Sequence, residues 1–587
     1  MTTQLESLSN EILFNLFEHI SLLDLFRIFY NINIRFNNLI LDRYQNYSLD
    51  FRSLRKKDLH TICHDYLPLI INQIIYLRLS DDDDTPKQSI DFLSYNIKLH
   101  QFKTLRSLTF FHIIFDLKME EFLFHDIHQL SCLTHLKFVD CRIESNYNRH
   151  DTKSYNFIDQ IWSHEKLIYC YLEHYFILPT VISSSIQYLY IKRGGWEYKN
   201  LITLMEKTPN LQYFSTLVTF STACDSSDEI DKTPPSSMNL SMKELKLIGI
   251  SSPKLMINTL FRMPNLVHLN IESSFIYFDG NQWKDVIQNN LPKLKIFHLN
   301  MTYEYKNLKN KENQVDTILD TYRNSFWVDE HQWFMGCLWD NSKNSSWICL
   351  HSLPFSFRNY FQPKSQNNYR TKWINSSSKI KYSYNNIAYL NYNRSLFRKK
   401  NFLNMKFSNL QYLDIKLPYD NHLFLTCSKF DNLIVLRLNL SYNYSLFKLQ
   451  ALLDKLSRLI TLEFQSWLTT EEIPPFNLTS KSVRRLNLNG RNELKHFHCF
   501  NRQQSIKLSK SPLGIQCQVL HIEVNDVLAI LELAFKMFNL RTLHVRYDKD
   551  PRNQRPELID WLQYHLPSTM IVTQRCYGEY IIQPKIY

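Results

Sequence analysis

The chain has 587 residues, 44% of them hydrophobic and 21% charged, with a formal net charge of +12 at pH 7. That is more chain than one hydrophobic core organises, and it is too apolar for a disordered polymer. No apolar run approaches the roughly 20 residues of a membrane helix, and the eight glycines form no phosphate-cradling or nucleophile-elbow pattern.

The first predicted elements lie in residues 5–41. Ser9 followed by Glu11-Ile12-Leu13 reads as a helix start, because a small hydroxyl can cap free N–H groups and an early carboxylate suits the positive helix end. Ile12, Leu13, Leu16, Phe17 and Ile20 recur at helical spacing and predict a broad apolar stripe. Ser21 to Asp24 breaks that run, with Asp24 as the expected second cap. Leu25, Ile28, Phe29, Ile32 and Phe36 then continue the helical period. Three short helices in about forty residues bury too little surface to stand alone, so a partner is expected to cover their apolar excess.

This segment resembles the F-box, whose pattern runs approximately Leu-x-x-Leu-Pro-x-Glu-Ile-Leu, an Ile-Phe turn, Asp-Leu and Asn-x-Arg-Phe. The matching residues here are Leu5, Leu8, Glu11-Ile12-Leu13, Leu16-Phe17, Asp24-Leu25 and Asn33-x-Arg35-Phe36, with Ser9 in place of the usual proline. The resemblance implies an F-box over residues 1–48. It also implies that Leu5, Leu8, Ile12, Leu16 and Ile20 face a Skp-type adaptor, which in turn binds a cullin. Leu13, Phe17, Leu25, Phe29 and Phe36 would hold the module's own core.

Beyond the module a motif recurs, apolar-x-x-Leu-x-apolar, most clearly as Leu133-Thr-His-Leu136-Lys-Phe138. Copies begin at Ile74, Leu105, Leu167, Ile186, Leu211, Met242, Leu266 and Leu294, and again at Leu410, Leu433, Leu459, Val483, Cys517 and Leu540. Their spacing is about 19–34 residues, and each copy alternates like a short strand with one face inward. Helical patterns such as Leu201-Ile202-x-Leu204-Met205 and Leu449-x-x-Leu452-Leu453 lie between them. The series resembles the leucine-rich repeat family, which implies an α/β fold: a parallel-stranded solenoid in two halves, 49–300 and 406–587. In such repeats the residues between core positions line the concave face. Here they include His135, Lys137, Tyr169, Tyr171, Tyr188, Tyr190, His268, Tyr412, Arg437, Arg485 and His544. Tyrosine and arginine often anchor binding surfaces, so these are the candidate target contacts, with the N-terminal tyrosines as the candidate hot spot.

An insertion, 301–405, separates the halves. It opens with a helical pattern over Val315–Tyr322 and holds half of the ten tryptophans between Trp327 and Trp373. Tryptophans this dense are costly to expose, so the first part is expected to pack as a small subdomain against the repeats. From Asp340 to Asp414 the chain has about twelve Lys and Arg and no acidic residue between those two aspartates. That stretch reads either as a solvated loop or as a basic surface for an acidic partner, nucleic acid being the less favoured one.

Eleven cysteines scattered from Cys63 to Cys576, with no Cys-x-x-Cys pair, fit reduced thiols in the cytoplasm or nucleus. His60-x-x-Cys63-His64 and His496-x-His498-Cys499 crowd potential zinc ligands but lack completing pairs, so no metal or other cofactor is expected. No membrane partner is expected either. The resemblances together imply a non-catalytic subunit of a Skp–cullin–F-box ubiquitin ligase that recognises a protein target on the solenoid. A plain interaction scaffold and a nucleic-acid-binding protein are the alternatives.

Overall fold

The computed structural model describes residues 5–43, 47–52, 54–115, 127–143, 155–174, 178–194, 198–218, 238–274, 276–304, 310–340, 347–356, 369–374, 386–392, 406–427, 430–440, 444–467, 474–492, 498–547, 556–568, 570–575 and 579–584. Three short helices open the chain: α1 (Asn10–Glu18), α2 (Leu22–Phe29) and α3 (Ile34–Asn38). Ser9 enters α1 in extended backbone, but its side chain accepts no N–H from the first turn. Its main-chain oxygen takes the Leu13 N–H instead, at 3.1 Å.

The second cap is Ser21, not Asp24. Ser21 Oγ accepts the Asp24 N–H at 3.2 Å and donates to the Asp24 carboxylate at 2.6 Å. Asn33 caps α3 by accepting the Phe36 N–H at 2.9 Å. Arg35 spends its guanidinium on the entry to α1, donating to the main-chain oxygens of Glu6 and Leu8 and to Asn10 Oδ1. A planar group with five donors can staple three acceptors at once, which a lysine could not do in the same geometry.

Inside the module Leu13, Phe17, Leu25, Phe29 and Phe36 are all buried. The Phe17–Phe29 and Phe29–Phe36 ring centroids are each 5.3 Å apart. Phe26 is buried as deeply and was not singled out by the sequence pattern. It stacks on Tyr66 at 4.6 Å and so fastens the module to the segment that follows.

The chain divides into two compact units, the first mainly Met1–Leu269 and the second mainly Asn270–Asn289 with Lys295–Lys585. The stretch 301–405 thus falls in the same unit as the C-terminal repeats. In the first unit, strands Tyr47–Asp50, Ile74–Ser80, Ser107–Phe111, His135–Val139, Tyr169–His174, Tyr188–Gly194, Tyr213–Val218 and Glu244–Ile250 each pair in parallel with the next in chain order. Leu77, Leu108, Leu136, Cys170, Leu189, Phe214 and Leu245 are successive register partners, and all are buried. Because side chains alternate along a strand, this row fixes which residues take the opposite face.

The second unit begins with antiparallel strands. Ile296–Glu304 pairs with Trp347–Leu353, which pairs with Phe334–Asp340, which pairs with Tyr369–Trp373. A helix, Lys311–Thr321, lies between Ile296–Glu304 and Phe334–Asp340 in the chain, and Trp327, Trp333 and Trp339 are buried. Trp327 Nε1 donates to the Gly280 oxygen at 3.1 Å, which satisfies the indole inside an apolar site. Parallel pairing then resumes through Tyr389–Tyr392, Tyr412–Lys416, Val435–Asn439, Thr461–Trp467, Arg485–Asn487, Val519–Val524 and Thr542–Tyr547. Antiparallel strands Glu579–Pro584 and Met570–Arg575 complete this sheet. The protein is therefore mixed α/β with large, mostly parallel sheets. Among the described residues no helix is long and apolar enough to cross a membrane.

Candidate functional site

Two rows of aromatic and cationic side chains occupy the sheet face opposite the buried leucines of the first unit. His135, Tyr169, Tyr188 and Tyr213 are successive register partners, and so are Lys137, Tyr171, Tyr190 and Ser215. Neighbouring parallel strands lie about 4.8 Å apart, so rings at matched and at diagonal positions come within contact range. His135 stacks on Tyr169 at 5.5 Å, Tyr169 meets Tyr190 at 5.3 Å, and Tyr190 stacks on Tyr213 at 4.4 Å. Tyr171 and Tyr190 are 6.0 Å apart, and Tyr188 and Tyr213 are 6.4 Å apart. Lys137 Nζ sits over the Tyr169 ring, 4.8 Å from its centroid.

The electrostatics of these rows follow from partial burial. Desolvation raises the Tyr169 and Tyr213 hydroxyls well above the usual phenol range, so both remain protonated donors at physiological pH. Desolvation, then the charge of Arg78, lowers the Lys137 ammonium. Desolvation, then Lys137, likewise lowers His135. The outcome is a neutral aromatic strip with a cationic end.

The four tyrosines singled out by alternation come together here, and Tyr213 joins them. Its signal was present in the sequence, since it stands one residue before the core position of its repeat, as Tyr169 and Tyr188 do. The other candidates behave differently. His268 lies 3.7 Å from Glu244. Arg437 is paired with its register partner Glu463 at 2.6 Å, which consumes part of its charge. Tyr412 is exposed beside Tyr389, 6.2 Å between centroids, and Arg485 is half-buried on a three-residue strand. His544 is a correction. Expected on the open strand face, it is instead 0% exposed and stacks on its register partner His521 at 4.1 Å.

On the N-terminal module, Leu5 and Ile12 are 43% and 51% exposed, while Leu8, Leu16 and Ile20 are half-buried. Ile12 and Leu16 are four residues apart in α1 and share a helix face, whereas Leu13 and Phe17 turn into the core. Ile28, Ile32 and Ile34 are exposed as well.

The zinc-like clusters are used otherwise. His60 Nδ1 is 2.8 Å from the Tyr95 hydroxyl, His64 pairs with Asp65, and burial pushes the Cys63 thiol up to about 12, which makes it a poor ligand and nucleophile. His498 packs edge-on against Trp467 and Phe500, Cys499 Sγ donates to Glu523 at 3.7 Å, and His496 lies outside the described residues. Most of the basic stretch 341–405 also lies outside them. Of its described cations, Arg370 and Lys372 pair with Glu312 and Asp316. No protein-family model matches the chain, and no curated protein matches it.

Proposed function

We propose that the protein is a non-catalytic receptor of a Skp–cullin–F-box ubiquitin ligase. In this reading α1 to α3 grip a Skp-type adaptor, and a leucine-rich solenoid holds a protein target along the tyrosine rows. The observation that carries the first half is the surface left over once the module's core is complete. Leu13, Phe17, Leu25, Phe29 and Phe36 are satisfied inside, yet Leu5 and Ile12 still face solvent. Burying each such side chain is worth about 1.5–3 kcal/mol, so Leu5 and Ile12 supply part of the driving force for association, to which the half-buried Leu8, Leu16 and Ile20 add.

The tyrosine rows support the second half. Tyrosines give large contact area at small cost in side-chain freedom, and here stacking has already restricted them. The mechanism is positioning: holding a target beside a ubiquitin-loaded enzyme turns a bimolecular transfer into one at high effective concentration. A scaffold without ligase partners would use the same rows but leave the module's outer face uncovered.

Co-expression with a Skp-type adaptor separates the two. Wild type is expected to co-purify with the adaptor, and Ile12→Asp/Leu16→Asp to lose it while keeping its circular dichroism. Ile12→Asp alone, at an exposed position, guards against misfolding. A folded wild type that leaves the adaptor behind would reject the ligase role.

A further inference from the structure

The strands that precede the tyrosines carry donors with nothing to donate to. Arg78, Thr109 and Lys137 are register partners on three successive strands, and Tyr76, Ser107 and His135 form the row beside them. Thr109 is only 2% exposed, and its hydroxyl has no hydrogen-bond partner among the described residues. The same holds for Arg78 Nε and for the Tyr76 hydroxyl, both buried atoms. A buried donor left unpaired costs about 1–3 kcal/mol, so several together on one face call for an acceptor.

The local charge points the same way. Arg78 gives Nη1 to Asp50 at 2.8 Å, and Arg52 gives Nη2 to that same carboxylate at 2.7 Å. Asp82 also acts on Arg52, but its Oδ1 already accepts from the Thr85 N–H and hydroxyl. Lys137 has no carboxylate within ion-pair distance among the described residues and rests on the Tyr169 ring. Arg78 and Lys137 repel each other across Thr109, which contributes to lowering the Lys137 ammonium. With strands about 4.8 Å apart, the two long cationic arms rise from positions about 10 Å apart, with a short hydroxyl between them. That spacing suits one oxyanion held from both sides and from below.

We propose that Arg78, Thr109 and Lys137, with the Tyr76 hydroxyl beside them, form an oxyanion seat for a phosphoryl or carboxylate group of the protein ligand that lies along the tyrosine rows. This rests on reading that face as a binding surface, and it adds the chemistry the ligand must carry. A ligand without an anion near one end of its aromatic-contacting segment would leave the donors unpaired and be discriminated against.

The test uses the full chain and inorganic phosphate, titrated at constant ionic strength and followed by calorimetry, with acetate in parallel. Wild type is expected to bind phosphate saturably. Thr109→Val and Lys137→Met should each weaken it about tenfold or more, and Lys137→Arg should retain it. Lys455→Met, which removes a lysine resting on the Phe424 ring elsewhere, should change nothing. Phosphate binding without acetate binding assigns the seat to a phosphorylated residue; comparable binding of both assigns it to Asp or Glu. Absence of saturable binding by folded wild type, or binding untouched by Thr109→Val and Lys137→Met, overturns the seat. No adaptor enters this titration, so its failure is distinct from failure of the ligase reading.

Discussion

His351, on the strand Trp347–Leu353, is fully buried between Phe355 and Trp373, with ring centroids 5.4 and 5.6 Å away. Neither of its ring nitrogens has a hydrogen-bond partner among the described residues. Burial lowers its pKa from 6.5 to about 4, so the folded protein keeps it neutral. An unfolded chain takes up the proton below about pH 6.5 and the fold does not. Its contribution to stability is therefore intact above that pH and is lost as pH falls through about 4, on the order of 3 kcal/mol in all. His351→Leu should remove this slope and, by deleting two unsatisfied nitrogens, raise stability at pH 7 by about 1 kcal/mol or more. Urea unfolding from pH 7 to pH 4 measures both; an unchanged acid limb would reject the assignment.

Alternation placed Tyr169, Tyr171, Tyr188 and Tyr190 on one face because a strand offers only two. It could not foresee that His544 would be buried against His521, since burial depends on what a strand's neighbours bring.

At the scale of elements, two features make distinct predictions. Arg35 holds the entry of α1 to α3 through three acceptors. Arg35→Met keeps most of the stem but loses every donor. Hydrogen exchange should then quicken in residues 5–13 while the buried strands stay protected, and equal exchange throughout would contradict the stapling role. In the aromatic rows Tyr190 touches three rings, Tyr169, Tyr171 and Tyr213, whereas Tyr188 has its ring contact with Tyr213 alone among the described residues. At about 0.5–1.5 kcal/mol per ring pair, Tyr190→Ala should cost about 2–4 kcal/mol and Tyr188→Ala under about 1.5. Chemical denaturation of the two variants gives the ordering, and a larger loss at Tyr188 would contradict it.

Element type was legible wherever the apolar period was clean, as in Leu446–Asp454 and His135–Val139, though the ends were not. Strand direction was not. Nothing in a period of two distinguishes parallel from antiparallel pairing, so the turn to antiparallel strands after Ile296–Glu304 came only with the structure. The tryptophans of that region did carry a usable signal. Their density implied packing, and Trp327, Trp333 and Trp339 are core.

For the whole molecule, the α/β class followed from many weak copies of one motif, each forced by the need to bury its leucines against the next strand, while parallel pairing was implied by the resemblance alone. The division at Leu269 and Asn270 was not legible, because the repeat pattern runs through it unbroken. An outward apolar face on the N-terminal module and a tyrosine surface in the repeats support the proposed receptor role, which requires that the module bind a Skp-type adaptor. The most direct measurement is calorimetric titration of that adaptor into the intact chain. One-to-one binding is expected, weakened about a hundredfold or more by Ile12→Asp/Leu16→Asp and unchanged by Tyr190→Ala. Absence of binding by a folded wild type, or equal affinity in the double variant, would contradict it.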